Sequence, residues 1–313
     1  MVLDGGLSNQ LAAAGYDLDD GALWSARLLV DAPEALVAAH RAYYAAGAEV
    51  VITAGYQASF AGFARRGIGR RAAERLLASS VALARVAGDG AAGDGAASDR
   101  AEDGSAGDGS ASDGAAGDGR RRWVAASVGP YGAVLADGSE YRGRYGLSVT
   151  ELERFHRPRL EVLAAAGPDV LALETVPDVV EARALVRAVR GLRVPAWLSY
   201  TVAGGRTRAG QPLAEAFAVA RDAPEVVAVG VNCCAPEEVA EAVRIAARVT
   251  GKPVVAYPNS GERWDPATRR WLGAATGPAD LAAGWIADGA RLVGGCCRVG
   301  PEQIARLRQR LDG

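Results

Sequence analysis

Short apolar, β-branched runs alternate with longer helix-patterned segments from one end of the chain to the other, and this rhythm restricts the fold more than any other feature. The runs are Val2–Asp4, Glu49–Tyr56, Trp123–Pro130, Asp169–Thr175, Ala196–Val202, Val226–Cys233, Pro253–Ser260 and Leu292–Cys297. Between them, segments such as Pro33–Ala46, Arg70–Ala87, Glu151–Ala166, Val179–Arg190, Pro212–Asp222, Pro236–Thr250 and Pro278–Asp288 carry helical periodicity. Pro33, Pro236 and Pro278 sit where a first helical turn begins and a free N–H is not needed. Gly47, Gly167 and Gly251 stand where helices stop. Strands separated by helices pair in parallel. Eight of them predict a single-domain (β/α)8 TIM barrel spanning residues 1–313, with an open doubly wound sheet as the runner-up. No GxGxxG follows the first run, which counts against a dinucleotide fold.

One segment breaks the rhythm. Residues 88–119 are almost wholly Gly, Ala, Asp and Ser, too poor in apolar area to offset the entropy of ordering. They are expected to be a disordered insertion between a helix and the next strand, on the face away from the strand C-termini. The run Arg120–Arg122 reads as a solvated edge. Half of the chain is apolar and its net charge is only −2, so neither a nucleic-acid partner nor an anionic membrane surface is expected. The opening MVLDGGLSNQ lacks a basic-then-apolar leader, and no run approaches membrane-spanning length. The expected location is the cytoplasm.

Catalytic residues of such barrels gather at the C-terminal ends of the strands. Here those ends read Asp4-Gly5-Gly6, Thr53-Ala54-Gly55-Tyr56-Gln57, Gly129-Pro130-Tyr131, Glu174-Thr175, Thr201, Asn232-Cys233-Cys234, Asn259-Ser260-Gly261 and Gly295-Cys296-Cys297. All four cysteines lie at two of these ends. Thiolates are zinc ligands, and three of them leaving one position open is the pattern of a catalytic site. Disulfides are not expected in an intracellular chain; redox-active thiols are the alternative reading. His40 and His156 fall within helical segments and read as surface or packing residues. Lys252, the sole lysine, precedes a strand and lies at the wrong end for Schiff-base chemistry.

The motifs LDGGL, ITAGYQASFAGF, ADGSEYRGRYG, FHRPRLEVLAAAGPDVLALET, GVNCC, YPNSGE and GGCC together resemble the homocysteine S-methyltransferase family over nearly the whole chain. The resemblance implies a (β/α)8 barrel with Zn2+ held by Cys233, Cys296 and Cys297. It leaves Cys234 as a packed free thiol. It further implies that homocysteine is held by Asp4, Gly5, Thr53 and Glu174, with Asn232, Tyr257, Asn259 and Ser260 lining the pocket or standing behind it. S-methylmethionine is the implied methyl donor and S-adenosylmethionine a usable one; betaine, served by longer relatives, is second choice. A sulfonium donor suits aromatic faces, for which Trp24, Tyr56, Tyr131 and Tyr141 are candidates. The oligomeric state is not legible in the sequence.

Overall fold

The computed structural model describes residues 1–18, 23–98, 120–265 and 270–313. Seven strands form one curled, all-parallel sheet: Val50–Ile52, Trp123–Val128, Val170–Val176, Ala196–Tyr200, Val226–Asn232, Val254–Tyr257 and Ala290–Val293. Their spatial order follows their chain order, so each crossover returns to the adjacent position.

The first apolar run does not form a full strand. It lies between the two edges of the sheet as isolated parallel bridges, Val2 to Val293 and Leu3 to Val50. Leu3 N donates to Val293 O (2.8 Å) and Asp4 N to Val50 O (2.9 Å), so both edges are covered by the same short segment.

Side chains alternate across the sheet because successive Cβ atoms point to opposite faces. The concave face gathers Leu3, Val50, Ala125, Ala172, Trp197, Ala228, Val255 and Tyr257 into a compact cluster, with Leu292 packed against it. Every strand contributes, and so does the Val2–Leu3 segment. The convex face packs against the helices in a much larger apolar layer that includes Val51, Val124, Leu171, Leu198 and Val229.

The helices expected from periodicity are present with shifted ends: Pro33–Ala45, Val149–Ala165, Val179–Ala188, Leu213–Ala218, Val239–Thr250 and Ala282–Asp288. One expectation is corrected. Residues 88–98, read as the start of a disordered insertion, continue the helix Arg70–Ser98. Nucleating a helix is costly and extending it is cheap, and the strongly apolar turns of Arg70–Ala87 supply the nucleus. The rest of the insertion, 99–119, lies outside the described residues. Two small antiparallel hairpins, Val202–Ala203 with Arg206–Thr207 and Arg263–Asp265 with Arg270–Leu272, follow strand C-termini and were not foreseen. Among the described residues no helix is long and apolar enough to cross a membrane.

Candidate active site

Cys233, Cys296 and Cys297 converge at the C-terminal ends of the Val226–Asn232 and Ala290–Val293 strands, their sulfur atoms all within 4.8 Å of one another. Cys233 sits in left-handed backbone, φ 48°, sparsely populated for a residue with a side chain; that conformation breaks the strand's alternation. Cys296 N donates to Pro258 O (2.7 Å) and Cys297 N to Asn259 Oδ1 (3.1 Å). The loop after Tyr257 therefore holds the cysteine pair. Cys233 and Cys297 sulfurs are 3.9 Å apart, whereas Cys233 and Cys296 are joined as a disulfide across a Cα separation of 5.6 Å. This corrects the expectation of no disulfide: partners 63 residues apart in sequence meet here as strand-end neighbours. Cys234 is a buried free thiol packed in the convex-face core, and burial pushes its pKa up to about 12. It is therefore inert at neutral pH.

The donor set suits a tetrahedral metal. Sulfurs about 2.3 Å from a zinc ion stand about 3.8 Å from each other, close to the Cys233–Cys297 spacing. Burial pushes the Cys297 thiol up to about 11, so it does not ionise unaided near neutrality.

Beside the sulfurs are two buried carboxyls. Asp4 Oδ2 accepts from Ile52 N (2.8 Å), while Oδ1 is buried with no hydrogen-bond partner among the described residues. Glu174 accepts from Ser127 Oγ and from Tyr257 Oη (3.1 Å). Burial pushes Glu174 up to about 7, and burial together with the nearby Glu174 charge holds Asp4 well above the usual carboxylate range. Two neighbouring acids, with no cation paired to either among the described residues, make a site for a positively charged group. Gly5 is fixed by close approach: a Cβ there would collide with the carbonyl of Val299. Thr53 is buried, its Oγ1 accepting from Ser127 N (3.1 Å).

Asn232 is committed to its neighbours. Its Oδ1 accepts from Thr175 N (2.7 Å) and Ser199 Oγ (2.6 Å), and its Nδ2 donates to Thr175 Oγ1 (2.7 Å). These bonds hold Thr175 in left-handed backbone, φ 57°, unusual for a β-branched residue and costing about 1–3 kcal/mol. The pairing register shifts between Leu173 and Val176, so the irregularity falls on Glu174 and Thr175, next to the site. Asn232 thus supports the Glu174 position.

The four aromatic candidates separate. Burial, then the nearby Cys297, push the Tyr141 hydroxyl up, and burial, then Tyr141, Glu140 and Glu174, do the same for Tyr56, so these two rings border the site. Tyr131 instead packs edge-on against Tyr145 (5.3 Å) and Phe155 (5.0 Å). The side chain of Trp24 lies outside the described residues.

Sequence reading missed Ser127, Trp197 and Ser199. Each carries one polar group within a buried strand, a hydroxyl on the two serines and an indole N–H that donates to Tyr257 Oη on Trp197, and a polar group in an otherwise apolar run was the available signal. It also took His156 for a bland residue. His156 is buried, with Nε2 2.8 Å from Glu181 Oε1 and Nδ1 2.8 Å from an Arg159 nitrogen. Arg159 can only donate, so Nδ1 accepts and the neutral ring donates from Nε2 to Glu181. Glu181 Oε1 also accepts from Tyr131 N (2.6 Å), and Arg159 donates to Gly129 O and Ala58 O. The network underlies two of the strand-end loops. His40 is buried in helix Pro33–Ala45. Lys252 Nζ donates to Ala223 O and Val226 O (both 2.6 Å), at the start of a strand.

Comparison with known proteins decides the family. The homocysteine S-methyltransferase family model matches residues 1–311. The chain belongs to the homocysteine S-methyltransferase family. It is 40% identical to homocysteine S-methyltransferase YbgG of Bacillus subtilis, over 98% of this chain and 93% of that one. Among solved structures, the homocysteine methyltransferase MmuM of Escherichia coli superposes in its oxidised form with a TM-score of 0.82 at 41% identity, covering 99% of this chain and 95% of MmuM. Its metallated form superposes with 0.81 at 40% identity, covering 99% and 96%. Methyl transfer to homocysteine is the reaction of the family, and the chain is an enzyme of that class.

Proposed function

We propose that this chain transfers a methyl group from a sulfonium, S-methylmethionine or S-adenosylmethionine, to homocysteine, with zinc held by Cys233, Cys296 and Cys297. The observation that carries the reading is the convergence of three cysteine sulfurs within 4.8 Å beside the buried Asp4–Glu174 pair. We also read the whole as a closed (β/α)8 barrel. The Val2 and Leu3 bridges to both sheet edges, and the concave cluster drawing on all seven strands and Leu3, support it.

Zinc in that site would hold a substrate thiol as thiolate at neutral pH. The protein does the rest. Asp4 and Glu174 receive the α-ammonium of homocysteine, and Gly5 and Thr53 border its carboxylate. That fixes the sulfur next to the cysteines and converts a bimolecular encounter into an oriented one. The substrate sulfur then attacks the donor methyl in line: one C–S bond forms as the C–S+ bond breaks, giving methionine and a neutral thioether, with the thiol proton passing to solvent. Because the donor loses its charge in the transition state, weak attraction from the Tyr56 and Tyr141 rings suits it better than an ion pair at the sulfonium.

The Cys233–Cys296 disulfide favours a second reading, a thiol redox protein without turnover. The oxidised and metallated forms of MmuM are names for two states of one methyltransferase, so the bond is compatible with the first reading. The test is methionine formation from homocysteine with each sulfonium, on protein purified under reducing conditions, alongside its metal content. We expect one zinc per chain, lost with activity in Cys296→Ser. A reduced wild type that stays inactive after zinc is restored would move the assignment to the redox reading.

A further inference from the structure

The methyl transfer proposed above brings two α-amino acids together, and Asp4 with Glu174 provides for the ammonium of only one. A third carboxyl stands apart from that pair. Glu140, in the short helical turn Ser139–Tyr141, is only 9% exposed, and its Oε2 is buried with no hydrogen-bond partner among the described residues. The neighbouring cation, Arg142, pairs with Asp137 at 3.7 Å and reaches Glu140 only through its charge. An unpaired buried carboxyl oxygen is costly, so its retention calls for a partner that is not part of the chain.

The loop is built to hold Glu140 there. Gly132 has no room for a Cβ, which would run into the backbone nitrogen of Glu140 and the Tyr145 hydroxyl. Ser139 N donates to Asp137 Oδ1 (2.9 Å) and Arg144 N to Asp178 Oδ2 (2.8 Å). Glu140 also lies near two rings that border the site. Burial, then the nearby Cys297 and Glu140, push the Tyr141 hydroxyl up, and burial, then Tyr141, Glu140 and Glu174, do the same for Tyr56. The Tyr141 ring further carries Arg208, whose guanidinium carbon is 5.5 Å from the ring centroid.

We infer that Glu140 binds the α-ammonium of the methyl donor, so that the enzyme selects sulfoniums built on an α-amino acid over sulfoniums and quaternary amines that lack that group. This rests on the methyl-transfer reading above. Tyr56 and Tyr141 then lie between the two ammonium sites, where the sulfonium must pass its methyl. Betaine carries no N–H to satisfy Oε2 and is excluded on the same ground.

The test compares S-methylmethionine with its desamino analogue, (3-carboxypropyl)dimethylsulfonium, in wild type and Glu140→Gln. Calorimetric titration of each sulfonium into the protein accompanies kinetics at saturating homocysteine. Wild type is expected to favour S-methylmethionine, and Glu140→Gln to raise its KM and Kd about ten- to a hundredfold, as for a lost charge-assisted bond. The desamino analogue and the KM for homocysteine should move less than about twofold, collapsing the discrimination. Equal binding of the two sulfoniums by wild type would overturn the inference, and so would an equal loss for both in Glu140→Gln. Neither result would touch the methyl-transfer reading. A wild type that binds S-methylmethionine in preference to its analogue yet transfers no methyl would refute that reading and leave the Glu140 assignment standing.

Discussion

Glu174 combines a buried carboxyl with a task that needs its charge. Its pKa is about 7 in the folded, ligand-free protein against an ordinary value near 4.5. A raised folded value means its contribution to stability is fully present below about pH 4.5 and is lost as pH rises through 7. A ligand ammonium prefers the ionised form, so Glu174 is expected to make homocysteine affinity rise with pH up to about 7, by no more than about tenfold per unit for its one proton, in addition to the rise from release of the thiol proton. Glu174→Gln should weaken binding and flatten that part of the profile; a titration series from pH 5.5 to 8.5 on both proteins reads it. An unchanged slope in the variant would assign the pH dependence elsewhere. At this scale the sequence was most informative. The glycines, cysteines and acids at strand ends stood out because the strand bodies are apolar. What stayed hidden was pairing: that Asn232 serves Thr175 and Ser199, and that Ser127 and Tyr257 hold Glu174, depend on register between strands.

Between elements, the buried His156–Arg159–Glu181 network ties helices Val149–Ala165 and Val179–Ala188 to the loops at Gly129 and Ala58. Its members are not equally charged. Burial lifts Glu181 to about 7 and holds His156 well below its ordinary value, while Arg159 stays protonated even at its lowered pKa of about 10. Arg159→Leu is therefore expected to cost about 3–5 kcal/mol, since it leaves His156 Nδ1 and the carbonyls of Gly129 and Ala58 without their buried donor. Glu181→Gln should cost distinctly less, because the carboxyl gives up its charge readily near neutrality. Urea denaturation of the two variants at pH 7 checks the order, and a reversal would contradict it. Sequence periodicity found the helices but not this network. A histidine and an arginine three residues apart on a helix look like surface residues until the facing helix is known. The same blindness covers the two hairpins, whose strands are too short to show alternation, and residues 88–98, where the preceding helix overrode a glycine-rich composition.

For the whole molecule, the eight-fold alternation was legible at once, because it needs only the contrast between short β-branched runs and long amphipathic ones. The ring closes, in our reading, through its shortest member. Val2 is fully buried and bridges Val293 while its neighbour Leu3 bridges Val50. Val2→Asp should therefore cost about 3–5 kcal/mol, as an uncompensated buried charge does. The same change at Val30, which is 43% exposed, should stay within about 0.5 kcal/mol. Equal stabilities in thermal melts of the two variants would show that the first run is a loose end and that the sheet is open. Such closure matters to chemistry because Asp4 ends that run and is brought within reach of Glu174 and the cysteines from the opposite end of the chain.

The central claim is that the three cysteines hold a zinc with one position reserved for the substrate thiol. Zinc K-edge X-ray absorption on the reduced, metal-loaded protein counts sulfur ligands directly. We predict three sulfurs without homocysteine and four with it, and two without homocysteine in Cys296→Ser if any zinc is retained. A count that does not change when homocysteine is added would contradict the account.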